Sequence, residues 1–337
     1  MAAGLGSAAS LRVKAEATPG THPTTGYMVV PVTGFELVPK AGTRSASNVL
    51  GLAFPAINTA VRGPIGVQGS VGAEGDYNGG LDWLLFGILG ANATTGGGLD
   101  PYTNIYTPSA TPPTFALEYD AGGIPVGKGY VYSNVLVSEL SISGDPDAGI
   151  TARANIVAES EDSATGGDVL TAAGLITPTA VGIDLSRHAT KWNIGVGSDT
   201  TYCVRKFTIT ARRELAPQRP CIGSAFYKAP TFSKGLAVDY EFEIEWEDEA
   251  AYRAFVDGTV LTAINVTCVG GAILTGFYTL TLRVNRSDLD EAGPPRWNDN
   301  GVMVSTVKGT AYGNDGAGAA TAPFTATTIN EIDGDAL

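Results

Sequence analysis

The chain has 337 residues, 44% hydrophobic and only 16% charged, with 44 Gly, 19 Pro and a formal net charge of −13. This length suggests roughly two units, the apolar content excludes a disordered chain, and the acidic balance excludes a protein that grips nucleic acid through clustered Lys and Arg. No apolar run approaches the roughly 18 residues of a membrane span, and the opening MAAGLGSAASLRVKAEA has neither a basic nor an apolar leader region, so neither a membrane partner nor secretion is expected.

Residues 1–24, rich in small and polar side chains, read as an N-terminal arm, and a first unit is expected over 25–160. Val67-Gln68-Gly69-Ser70-Val71 lies in a strand predicted over 65–76, with Gln68, Ser70, Gly72, Glu74 and Asp76 along one face. Leu81, Leu84, Leu85 and Ile88 follow i, i+3, i+4, i+7 spacing and Gly90 supplies a stop, so a short helix is predicted over 79–90, also carrying Trp83 and Phe86. The Gly/Thr/Pro-rich stretch 91–113 reads as a long loop ordered only against a neighbouring subunit. A strand at 114–119 and a hairpin over 129–159 complete the unit; in the latter Ile150, Ala152, Ala154, Ile156 and Ala158 alternate with polar residues.

Residues 161–198 are expected to link to a second unit over 199–312, followed by a C-terminal arm at 313–337. The clearest alternation in the chain falls here. Leu236, Val238, Tyr240, Phe242, Ile244 and Trp246 share one strand face, and Asp239, Glu241, Glu243, Glu245 and Glu247 share the other. Asp248–Val256 then predicts a second helix, with Tyr252, Phe255 and Val256 as its apolar stripe and acids in its first turn. A strand at 260–268 and a hairpin over 276–312 follow. The order of elements is thus the same twice. Glu36-Leu37-Val38-Pro39 recurs as Glu214-Leu215-Ala216-Pro217, Val67 matches Val238, and Trp83 and Phe86 match Tyr252 and Phe255. The expected fold class is mainly β: antiparallel sandwich or barrel units, each with a short flanking α-helix, in two tandem related copies.

Little in the sequence suggests reaction chemistry. His22 and His188 read as solvated, and Cys203, Cys221 and Cys268 as buried thiols, odd in number and without zinc spacing. Asp145-Pro146-Asp147, Asp288-Leu289-Asp290-Glu291 and Asn298-Asp299-Asn300-Gly301 suit turns better than calcium loops, lacking a correctly spaced bidentate Glu. No catalytic residue, metal ligand or cofactor is assigned. Glu241 and Glu243 raise the reading of a polysaccharide hydrolase, but they lie on one regular strand with no aromatic cluster on the same face to bind a sugar ring. The acid ladder leaves two readings, a solvated strand face or a negative wall past which DNA slides without sticking.

In order, these features resemble the tail tube (major tail) proteins of long-tailed, non-contractile bacteriophages: a small-residue arm over Met1–Ala17, the strand Val67–Val71, the helix Leu81–Gly90, then a strand and a short acidic helix with Tyr252 and Phe255, followed by Gly258-Thr259-Val260-Leu261-Thr262-Ala263. The resemblance implies a structural virion protein, assembled in the host cytoplasm, whose stacked rings form the channel for DNA ejection. It implies rings of three chains with pseudo-sixfold symmetry if the duplication is real, and of six otherwise. Implied partners are further copies of the chain and the tail-tip, tape-measure and tail-terminator proteins, with DNA passing through unbound. Glu74, Asp76, Asp239, Glu241, Glu243, Glu245 and Glu247 become candidates for the lumen. Leu81, Trp83, Leu84, Leu85, Phe86, Ile88, Tyr252 and Phe255 become candidates for ring contacts, and the arms and the 91–113 loop would bridge rings. The alternative is a capsid decoration protein that does not polymerise.

Overall fold

A computed structural model describes residues 9–44, 61–98, 100–120, 128–162, 168–170, 173–183, 185, 189–196, 198–201, 203–216, 227–246, 249–258, 261–297, 301–313 and 322–337. The protein is mainly β, and all its strand pairings among these residues are antiparallel except one isolated bridge. The first half contains β1 (Ser10–Ala15), β2 (Met28–Val30), β3 (Gly34–Arg44), β4 (Val61–Glu74), α1 (Asp82–Leu89), β5 (Gly90–Gly97) and β6 (Asp100–Pro108). It continues through β7 (Phe115–Asp120), β8 (Lys128–Asp145), β9 (Gly149–Ala158), β10 (Ser160–Asp162) and β11 (Asp168–Val169). Then come β12 (Ala189–Val196), β13 (Ser198–Thr201), β14 (Val204–Leu215), β15 (Phe232–Glu245), α2 (Ala250–Val256) and β16 (Leu261–Ile273). The chain ends with β17 (Gly276–Ala292), β18 (Arg296–Trp297), β19 (Met303–Ala311), β20 (Phe324–Asn330) and a 3-10 turn at Gly334–Ala336.

One array runs β3–β4–β9–β8–β14–β15–β19–β17 across both halves. Its first four strands and its last four occur in matching order. β8 and β17 are long and serve two sheets: their leading parts pair with β7 and β16, their trailing parts with β9 and β19. Where each strand changes sheets it carries a non-glycine residue with positive φ, Asn134 (53°) in β8 and Arg286 (22°) in β17. Each strand then bulges, between Val137 and Glu139 in β8 and between Leu289 and Glu291 in β17. A bulge tightens twist and bends a strand, which is what a crossing between stacked sheets requires.

Alternation decides which face is dry. Val67, Val71 and Ala73 on β4 and Val238, Tyr240, Phe242 and Ile244 on β15 are all buried. They meet outer sheets built from β2–β1–β7 in one half and β13–β12–β16, with β20–β6–β5 on the other side of β17, in the second. Burying a Phe or Leu side chain of this kind contributes about 1.5–3 kcal/mol over exposure.

Helix α1 is enclosed. Trp83 is fully buried, edge-on to Phe115 at 5.9 Å, while Phe86 meets Tyr106 and Phe115 at 6.5 and 6.0 Å. The helix stops at Gly90, whose left-handed conformation (φ 101°) lets its N–H reach the Phe86 carbonyl.

Three expectations change here. The 91–113 stretch is not structureless: β5 and β6 form a hairpin, and β6 pairs with β20 of the same chain. The C-terminal segment over 322–337 is likewise an internal strand and turn, ending with Leu337 buried and its carbonyl accepting the Ala15 N–H at 3.0 Å. Part of the N-terminal arm is β1, paired with β2 and β7 and anchored by buried Glu16, which accepts from Gly20 N–H, Thr114 Oγ1 and Asn134 N–H. These segments find in distant parts of their own chain the strand partners that their composition does not supply locally.

Candidate functional site: one polar face across both halves

The outward face of the eight-strand array is continuous and polar. Register partners run across all eight strands as Gly34, Gly72, Arg153, Ser141, Thr210, Asp239, Thr310 and Asp288. A second row runs Glu74, Thr151, Ser143, Thr208, Glu241, Lys308 and Glu291. Shallow depressions line this face on both sides of the junction, one around Ser70, Gly72 and Arg153, another around Thr208, Glu241 and Lys308.

The acid ladder sits on it but is not a bare row of like charges. Arg212 on β14 pairs with Asp239, Lys308 on β19 lies 3.4 Å from Glu241, and Arg205 lies 2.9 Å from Glu245. Lys206 stands opposite Glu243 in register and reaches Asp145 on β8 at 3.1 Å. The Asp147 backbone N–H and then Lys206 hold the Asp145 carboxyl below its usual range. Exposed pairs such as these are worth about 0–1 kcal/mol each, so their effect is to offset cross-strand repulsion rather than to anchor the fold. Arg205, Lys206 and Arg212 of β14 and Lys308 of β19 carry no sequence signal of this role, because nothing in either segment says which strand will lie beside β15.

Glu74, Asp239, Glu241, Glu243 and Glu245 therefore share the polar face. Asp76 does not. It is buried beyond the end of β4, where Oδ1 accepts the N–H groups of Asn78 at 2.6 Å and Val181 at 3.1 Å and so organises a turn. Glu247 lies outside the described residues.

The helix candidates divide. Leu81, Trp83, Leu84, Leu85 and Ile88 are sealed in the chain's own core and Phe86 is half-buried, so α1 has little left to offer another subunit. On α2, Tyr252 and Phe255 are each 37% exposed and Val256 is 62% exposed. His22 is not solvated as expected: it is half-buried against Tyr27 Oη (2.8 Å) and buried Glu118 (3.3 Å). Cys203 is exposed and Cys268 buried, while Cys221 and His188 lie outside the described residues. Among the described residues no group of three or more His, Cys, Asp or Glu is arranged to hold a metal ion.

The site is a broad sheet face with paired, dispersed charges and shallow depressions. Residues 6–328 match the family model for phage tail tube protein, and the chain belongs to that family, one of structural virion proteins rather than enzymes. A search of curated proteins gave no match.

Proposed function

We propose that the chain forms closed rings of three copies that stack into the tail tube, with the polar face of the eight-strand array lining the channel through which DNA leaves the virion. The observation that carries this reading is the repeated pairing order, β3–β4–β9–β8 and then β14–β15–β19–β17, with a kink and a bulge at the same place in each. Two related units per chain, divided near the linker, make three copies equivalent to six units. Three copies of an eight-strand array give three times eight, or 24 strands. At about 4.8 Å between strands and a tilt near 40°, such a cylinder is on the order of 45–50 Å between backbone walls. That admits a double helix with water around it, whereas six copies would double the bore.

The charge pattern suits passage. Phosphates meet carboxylates and singly paired cations rather than a basic cluster, so the polymer is neither gripped nor held in register. Assembly would take place in the host cytoplasm, and the tube ends would meet tail-tip, tape-measure and tail-terminator proteins.

Negative-stain electron microscopy of the purified protein over a concentration series, alone and with tail-tip proteins, tests the reading. Hollow tubes or stacked rings with threefold symmetry are expected. A closed oligomer that never stacks would favour a decoration protein instead.

A further inference from the structure

The free edges of the array sit on β3 at one end and on the trailing part of β17 at the other: among the described residues β3 pairs only with β4, and β17 from Asp288 onward only with β19. In the middle of the array, the corresponding edges are already joined to each other as β8·β14. The shared bulge equates Glu139 with Glu291 and Val137 with Leu289; following the pairings outward equates Ile156 with Gly309, Gly69 with Tyr240, and Leu37 with Ile209. Burial agrees with this alignment, since Val67 and Val238, Ala154 and Val307, and Ala158 and Ala311 are buried in both halves.

Resting on the tube reading above, we infer that the seam between neighbouring copies in a ring is the β8·β14 junction repeated, with the β3 edge of one chain laid on the β17 edge of the next in a defined register. Arg212 opposite Glu139 becomes Lys40 opposite Glu291, and Thr210 opposite Ser141 becomes Val38 opposite Gly293. Opposite charge is kept at the first position. At the second, Thr210 Oγ1 and Ser141 Oγ touch at 3.3 Å inside the chain, so Val38 and Gly293 should lie side by side across the seam. Pro294 and Pro295 follow at once, and Pro39 lies in the facing strand. Missing donors keep this backbone contact short and unattractive to other sheet edges.

A helix marks both places. At the internal junction α1 lies against β8 and is held by Arg213 of β14, which donates to the Ile88 and Leu89 carbonyls. Helix α2 lies against β17 in the same way, yet Tyr252, Phe255 and Val256 remain exposed. The neighbouring copy that supplies the β3 edge would cover them.

Cysteine cross-linking tests the register. Val38 is 48% exposed and a Cβ on Gly293 meets nothing within 4 Å, so V38C and G293C disturb neither fold. With the three native cysteines held constant, the double variant should assemble and cross-link under mild oxidation into ladders closing at three chains, and neither single variant should do so. Separately, K40E should raise the concentration needed for assembly at least tenfold, and adding E291K should restore most of it, with melting curves confirming that each subunit is folded. Tubes that form with no cross-link and no charge effect would overturn this seam and leave the tube reading intact. Unaltered protein that gives neither rings nor tubes, even with tail-tip proteins, would overturn both.

Discussion

Asn134 and Arg286 hold the same left-handed kink at the same place in two halves of one chain, each where a long strand leaves one sheet for the other and each just before a bulge. A left-handed backbone costs an ordinary L-residue about 1–2 kcal/mol, less for Asn and nothing for Gly. Arg286→Gly should therefore be neutral or stabilise by up to about 1 kcal/mol, while Asn134→Val should destabilise by about 2 kcal/mol, since it also removes the Nδ2 bond to Glu159 at 2.7 Å. Urea unfolding of both variants measures the contrast.

Arg213 joins the two halves by a different route. Its guanidinium, buried and with its pKa lowered by that burial, donates to the Ile88 carbonyl at 2.7 Å and the Leu89 carbonyl at 2.9 Å, closing the end of α1 where the helix dipole favours a cation. Replacing it with Met takes this donor from the enclosed Ile88 carbonyl, at about 1–3 kcal/mol, while the Leu89 carbonyl keeps the Ser109 N–H at 2.7 Å. A loss of about 1–3 kcal/mol in chemical denaturation is expected, and Lys should recover only part of it because it cannot fork to both oxygens.

Asp82 gives the fold a pH dependence of its own. It is fully enclosed and accepts from Tyr106 Oη (2.9 Å), Thr328 Oγ1 (2.7 Å) and Asn330 Nδ2 (2.7 Å), tying α1 to β6 and β20. Burial outweighs those bonds and pushes its pKa up to about 6 from 3.8. Because the folded value lies above the unfolded one, the stability this group contributes is fully present below about 3.8 and is lost as pH rises through about 6. The stability difference between the native protein and Asp82→Asn should thus drift in favour of Asn by about 2 kcal/mol between pH 4 and pH 7. Urea titrations at several pH values measure it, and a flat difference would rule out the titration.

The two helices should respond oppositely to truncation. Trp83→Ala empties a fully buried site and should cost about 3–5 kcal/mol. Phe255→Ser should change subunit stability by less than about 1 kcal/mol and yet abolish tubes in the electron microscope.

Removal of the β5–β6 hairpin should destabilise the subunit itself, not only its assembly. Tyr106 on β6 is fully buried, and β6 caps β20, whose Phe324 and Ala326 are buried too. A lowered melting temperature, in place of a well-folded subunit that fails to polymerise, is the expected outcome.

Much of the local structure was legible. The period-two pattern marked Val238, Tyr240, Phe242 and Ile244 as one dry face, and all four are buried. Leucine spacing and Gly90 bounded α1 to within a few residues of Asp82–Leu89. The ELVP and ELAP match does not follow the pairing order: carried through the strand registers from the two bulges, Leu37 falls at the position of Ile209, not of Leu215.

What the sequence by itself determined was the class of each segment and the side of each strand that must leave water, because alternation and turn chemistry act between residues close along the chain. What only the tertiary structure decided was partnership. It joined β8 to β14 and β6 to β20, set Arg205, Arg212 and Lys308 against the acid ladder, and sealed α1 while leaving Tyr252, Phe255 and Val256 of α2 exposed. These pairings join residues from 63 (Phe207 and Gly144) to more than 200 positions apart through backbone groups that every residue carries, so their specificity comes from the packing of the whole core and not from any one segment.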